Sequence, residues 1–265
     1  MNFTVIVKTM RDHWKSTLMW SLGILSITAI QLYIYPSVVK SSTAMQSYID
    51  AFPEALRTIF RMEDYFSGEG FLGTELYSMM VPLIFISMSA ARGSSAIAGE
   101  EENGNADIIF SLPISRTKVV VNKMIALVIE CLLVAILLVI AIAIDSQLVD
   151  MKIEISKVAI ATGASALLGL IFGAFALIAG ALTGKKAIAT GLSVAFAIAA
   201  LLFYSLAPLV DTFDALAPFN PMNWAINGNP LSEGVSGLNF VKLASLFVAL
   251  NFLALYLFKN RDIKS

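Results

Sequence analysis

Met124-Ile-Ala-Leu-Val-Ile-Glu130-Cys-Leu-Leu-Val-Ala-Ile-Leu-Leu-Val-Ile-Ala-Ile-Ala-Ile144 is an unbroken apolar stretch interrupted by a single charge. A bilayer core about 30 Å thick is crossed by roughly 20 helical residues, so this one stretch has the length and composition of a membrane span. Five more runs of that kind lie outward from it: Leu18 to Val38, Phe71 to Ala91, Val158 to Leu182, Ala187 to Leu209 and Phe240 to Phe258. Each backbone N–H and C=O in lipid must find a partner without water, and the strict alternation of a membrane barrel is absent, so the runs are read as helices. Composition agrees: 58% hydrophobic residues, 14% charged residues and a mean hydropathy of +0.80 do not make a soluble surface. The expected fold is an all-α membrane protein with six transmembrane helices in one domain, residues 1–265.

Charge placement sets the expected orientation. With the N-terminus cytoplasmic, the inner side holds Lys8, Arg11, Lys15, Arg92, Arg116, Lys118, Lys123, Lys185, Lys186, Lys259, Arg261 and Lys264. The outer side then holds only Lys40, Arg57, Arg61, Lys152, Lys157 and Lys242, and the loop from Val210 to Asn239 has acidic residues but no Lys or Arg. This asymmetry predicts cytoplasmic N- and C-termini. A net charge of −1 gives no reason to expect nucleic acid. The basic start followed by an apolar run resembles a signal peptide, but the run is too long and lacks a small-residue cleavage site, so it is read as a retained span. Cys131, the single cysteine, has no partner for an intrachain disulfide and reads as a small buried hydrophobe.

Three segments outside the spans carry helical patterns. Phe3, Ile6, Val7, Met10 and Trp14 recur at helical spacing opposite Lys8, Arg11, Asp12 and Lys15, which predicts an interfacial helix before the first span. Pro53 opens a short stripe of Leu56, Ile59 and Phe60. Pro208, Pro218 and Pro221 break a still-apolar stretch after the fifth span, as in a short re-entrant outer segment between spans five and six.

Catalytic chemistry is sparse. Gly180-Ala-Leu-Thr-Gly184-Lys185-Lys186 is one residue short of a phosphate loop and has Lys186 where a Mg²⁺-ligating hydroxyl is needed, so it reads as a basic turn. His13, the only histidine, stands outside the spans without a metal-site partner, and no nucleophile elbow occurs. Glu130 is read as the one acidic residue well inside a span: either a polar point on a substrate path or proton-coupling site, or a structural hydrogen bond to a neighbouring helix. Its position about two turns inside Lys123 favours the structural reading. Gly169 and Gly173 form G-x-x-x-G, a helix-packing seam within the subunit or between subunits.

The most specific stretch lies between the second and third spans: Ile97-Ala-Gly-Glu100-Glu101-Glu102-Asn-Gly104-Asn-Ala-Asp107-Ile-Ile-Phe-Ser-Leu-Pro113-Ile-Ser115-Arg116, with Lys123 at the membrane edge. It resembles the permease subunits of ABC-2 type transporters, in which an acidic cluster, a glycine, an apolar turn and a Pro-(Ile/Val)-Ser-Arg element precede the third span. The likeness extends to the six spans, the basic N-terminal helix, Gly68 to Thr74 and the Phe258-Lys-Asn-Arg261-Asp262-Ile263 ending. Gly104-Asn105 departs from the family's usual Gly-Thr, although Asn still caps a helix starting at Ala106.

The resemblance implies an exporter built from two membrane subunits, as a homo- or heterodimer, and two separate ATP-binding-cassette ATPase subunits that bind ATP and Mg²⁺. This chain would bind no cofactor itself and would sit in membrane lipid of the cytoplasmic membrane. A cytoplasmic coupling helix over about Ala98 to Leu112 would present Glu100, Glu101, Glu102 and Asp107 to the ATPase, with Pro113, Ser115 and Arg116 fixing its return to the membrane. The substrate classes implied are a drug, a peptide antibiotic or a lipid-like molecule. An ion-coupled secondary transporter using Glu130 and a non-transporting scaffold are the other readings of the residues.

Overall fold

The structure is a computed structural model that describes residues 3–53, 56, 57, 64–102, 104 and 115–259. Ten α-helices account for most of these residues, and no strand occurs among them. Six helical stretches are long and apolar enough to cross a membrane: Thr4–Lys40, Gly68–Glu102, Thr117–Leu148, Ile155–Thr183, Lys186–Leu209 and Gly237–Lys259. Each contains one of the runs read from the sequence, so the chain is a multi-pass membrane protein.

The first span is a single helix, α1 (Phe3–Lys40). The separate interfacial helix anticipated before it is therefore corrected: no Pro or Gly precedes Gly23, and the apolar stripe of residues 3–14 runs straight on into the span. At 1.5 Å per residue α1 is about 57 Å long, well beyond a bilayer core, so its basic first turns overhang one end. Helix α2 (Ser42–Ala51) follows after a single break at Ser41. Pro53 accepts from the Leu56 and Arg57 amides, which places a helical turn where the sequence predicted one, whereas Ile59 and Phe60 lie outside the described residues.

The second span is assembled from α3 (Gly68–Leu72), a π-helical turn (Gly73–Tyr77) and α4 (Met80–Glu102). Ser67 caps α3 by accepting from the Gly70 amide at 2.9 Å. The third, fourth and fifth spans are α5 (Arg116–Leu148), α6 (Ile155–Thr183) and α7 (Lys186–Leu206). Gly184 at φ 65° ends α6 and donates its amide to Gly180 O at 2.9 Å, confirming the basic turn read there. Two 3₁₀ turns with Pro208 and Pro218 alternate with α8 (Asp211–Leu216) and α9 (Pro221–Ile226) before α10 (Gly237–Lys259). Asn220 Nδ2 donates to Ala200 O and Tyr204 Oη to Ile226 O, both at 2.8 Å, tying this broken segment to α7.

Helix α6 is the axis of the bundle. Its most apolar window is 72% buried against 11% for α10 and 17% for α1, so α6 meets protein on nearly all sides while the other two present most of their surface outward. Helices α4, α5, α7 and α10 all pack on α6, and α1 lies against α5. Exposed Met19, Phe252 and Tyr256 on the peripheral helices have the chemistry of a lipid-facing surface.

The closest approach is between α4 and α6. A Cβ at Gly93 would sit 1.9 Å from the Gly173 carbonyl oxygen, and one at Gly169 would sit 2.6 Å from the Phe85 backbone. The Gly169/Gly173 seam is thus a contact within this chain, and Gly93, which the sequence reading passed over, is its counterpart on α4.

Candidate functional site

The conspicuous acidic run closes the second span. Glu100, Glu101 and Glu102 form the last turn of α4, so the separate helix expected from Ala98 begins, at least as far as Glu102, as a continuation of that span. A helix needs no separate start there because Ala96, Ile97 and Ala98 are buried and continue the packed face of α4. Gly104 has φ 68° and donates its amide to Glu101 O at 3.2 Å, a turn that stops the helix. Asp107 and Pro113 lie outside the described residues. The chain returns at Ser115, which caps α5 by accepting from the Lys118 amide at 3.4 Å, and Arg116 is the first residue of that helix.

Lys123 and Lys186 both brace this end of α4. Lys123 on α5 pairs with Glu100 and donates to Ala96 O at 3.1 Å, so one ammonium ties the last two turns of α4 to α5. Glu102 accepts from the Lys186 amide at 2.9 Å, which links α4 to the first residue of α7. A carboxylate at a helix N-terminus is favoured there by the aligned amides. These carboxylates are therefore partly engaged inside the chain.

About two turns deeper lies Glu130, with its side chain 2% exposed. Arg92 Nε on α4 donates to one carboxylate oxygen at 3.0 Å, and His13 Nδ1 on α1 stands 3.1 Å from the other. Arg92 Nη2 also donates to His13 O at 3.3 Å and to Thr17 Oγ1 at 3.2 Å. His13 is thus not the lone interfacial residue of the sequence reading: α1 is one continuous helix, and its ring reaches the same point as Arg92 and Glu130. Arg92, read from sequence only as an inner-side charge, is the hub that joins α1, α4 and α5. A buried carboxylate paired with a hydrogen-bonded cation recovers part of the desolvation cost that isolation would leave uncompensated.

Above this cluster is a cavity of about 260 Å³ lined by Thr9, His13, Arg92, Ser95, Glu100, Lys123 and Lys186, among others. It joins the Glu130 brace to the Glu100–Lys123 brace in one polar space. Its basic and acidic groups come from four helices, α1, α4, α5 and α7.

A second carboxylate inside a span was also missed. Glu75, on the π-helical turn, accepts from Tyr65 Oη at 2.7 Å and from Gln31 Nε2 at 3.4 Å. Burial, and then the Glu75 hydrogen bond, push the Tyr65 phenol well above its ordinary pKa, so it stays a neutral donor. Glu130 is consequently not alone within the apolar runs: Glu75 lies in the run Phe71 to Ala91, toward the other end of the bundle.

Comparison with curated proteins gives no match. Among known families, the chain matches the ABC-2 family transporter proteins over residues 3–263. That match spans nearly the whole sequence and agrees with the six-span architecture; the chain belongs to the ABC-2 transporter family and is a membrane permease of the ABC type.

Proposed function

We propose that this permease forms the substrate path of an exporter in the cytoplasmic membrane, driven by a separate ATP-binding-cassette ATPase that docks on the segment between Glu100 and Arg116. The observation that carries the reading is the family match over residues 3–263 together with the internal bracing at the end of α4. ATP and Mg²⁺ belong to the ATPase. Its movement presses on the connecting segment, and the pairs Glu100–Lys123 and Glu130–Arg92 make α4, α5 and α1 respond together. Without those ties the same push would be dissipated in independent side-chain motion. Both chain ends face the cytoplasm in this reading, as the Lys and Arg distribution favours. A second permease subunit completes the path, and the substrate is a drug, a peptide antibiotic or a lipid-like molecule.

The test separates docking from internal bracing. Glu100 is held by Lys123 and Glu102 by the Lys186 amide, so the reversal is made at Asp107 alone. Asp107→Lys is expected to weaken capture of the ATPase by the detergent-solubilised permease, because a like charge then faces its basic groups. Glu233→Lys, in the loop between α9 and α10, serves as the control and should leave capture unchanged. Equal capture by both variants would remove this segment from the docking surface.

A further inference from the structure

At the end of the bundle opposite the Glu100 turn, Met45, Tyr48, Ile49, Phe52, Tyr65 and Glu75 line a cavity of about 260 Å³. All but Glu75 present mainly apolar or aromatic surface. Tyr65 is fixed edge-on against Phe71, with ring centroids 5.5 Å apart, and its hydroxyl is directed to the Glu75 carboxylate. The π-helical turn at Gly73–Tyr77 carries Glu75 at this position, and such turns are frequent at functional sites.

The carboxylate's partners are both neutral. Among the described residues no Lys, Arg or His forms an ion pair with Glu75, whereas Arg57 pairs with Asp50, and Lys157 with Glu69 and Glu154. A half-buried carboxylate beside apolar walls loses hydration that two neutral donors restore only in part. The missing element is a positive charge. The walls decide which kind: a metal ion needs several oxygen ligands, and this pocket offers one carboxylate. Tyr48, Phe52 and Tyr65 instead offer aromatic rings, whose faces attract large, weakly hydrated cations.

We propose that this pocket binds the positively charged head of a monovalent organic cation, with its charge toward Glu75 and its apolar groups against Tyr48, Phe52 and Tyr65. The volume suits a substituted ammonium carrying one small apolar body. The inference goes beyond the permease reading and requires no ATPase, so its failure leaves that reading untouched.

The experiment uses the full chain in phosphatidylglycerol nanodiscs and two probes of the same shape, benzyltrimethylammonium and its uncharged isostere neopentylbenzene. The cation is expected to bind about tenfold more tightly than the isostere, and Glu75→Gln to abolish that preference while leaving isostere binding unchanged. Tyr48→Leu, at an exposed position on the rim, is expected to weaken cation binding about threefold without a folding cost. Competition by added phosphatidylcholine would assign a lipid headgroup as the source of the cation, and its absence a freely diffusing molecule; either supports the site. Equal binding of the two probes to the unaltered chain overturns it. So does undiminished cation binding in both Glu75→Gln and Tyr48→Leu.

Discussion

Glu130 and Glu75 are both acids within membrane-spanning stretches, yet their surroundings differ in kind. Glu130 is 2% exposed and held by Arg92 and His13, so its charge is consumed in joining α5 to α4 and α1. Glu75 is met by a phenol and a carboxamide at the edge of an open apolar pocket. A carboxylate with its cation built in serves as a brace, and one without is available to a cation from outside. Sequence position alone does not separate the two, because each is simply an acid in an apolar run.

The strongest way to break this contrast is Arg92→Ala. It strands a buried carboxylate and is expected to cost about 3–5 kcal/mol. Thermal unfolding is readable with a thiol-reactive dye, because Cys131 is the only cysteine and is buried. Arg92→Ala combined with Glu130→Ala should recover part of the loss, and a double variant no more stable than Arg92→Ala alone would show that the pair is not the brace described.

Gly93→Ala acts on the packing beneath the brace. Its Cβ would meet the Gly173 carbonyl at 1.9 Å, so α4 and α6 must part, at a cost of about 1–3 kcal/mol by the same assay. Glu130→Gln is expected to fall near this range, because the amide still accepts from Arg92 but no longer carries the charge that offsets the buried guanidinium. An unchanged unfolding temperature in that variant would contradict the charge pairing of Glu130 with Arg92.

At the other end the effects should be small. Tyr65→Phe removes one hydrogen bond to Glu75 and is expected to cost about 0.5–1.5 kcal/mol. Glu75→Gln should be nearly neutral in stability, since its partners are uncharged and no cation is stranded. A destabilisation as large as that of Arg92→Ala would mean that Glu75 is also a brace.

Much of the architecture was legible because lipid imposes a length and a composition on each span, and the six runs kept their places. The interfacial helix was misread since amphipathic spacing reports a face and not a break, and nothing between Phe3 and Gly23 interrupts the helix. The Arg92–Glu130–His13 cluster was invisible for a different reason: its members are separated by 38 and 117 residues, and only helix packing brings them together. Gly93 escaped because G-x-x-x-G is a pattern along one helix, while the contact it makes is with another. Glu75, near the start of its run, was passed over, since only the π-helical turn and Tyr65 give it a setting. The acidic run was conspicuous in sequence, but its engagement by Lys123 and the Lys186 amide depended on α5 and α7.

The central claim is that this permease works with a separate ATPase through the segment joining α4 and α5. Reconstituting the full chain with a candidate ATPase in proteoliposomes, and measuring ATP hydrolysis with and without the permease, tests it most directly. The account predicts that the permease stimulates hydrolysis, that Asp107→Lys sharply reduces the stimulation, and that Glu233→Lys does not. Hydrolysis stimulated equally by all three forms of the chain would contradict it.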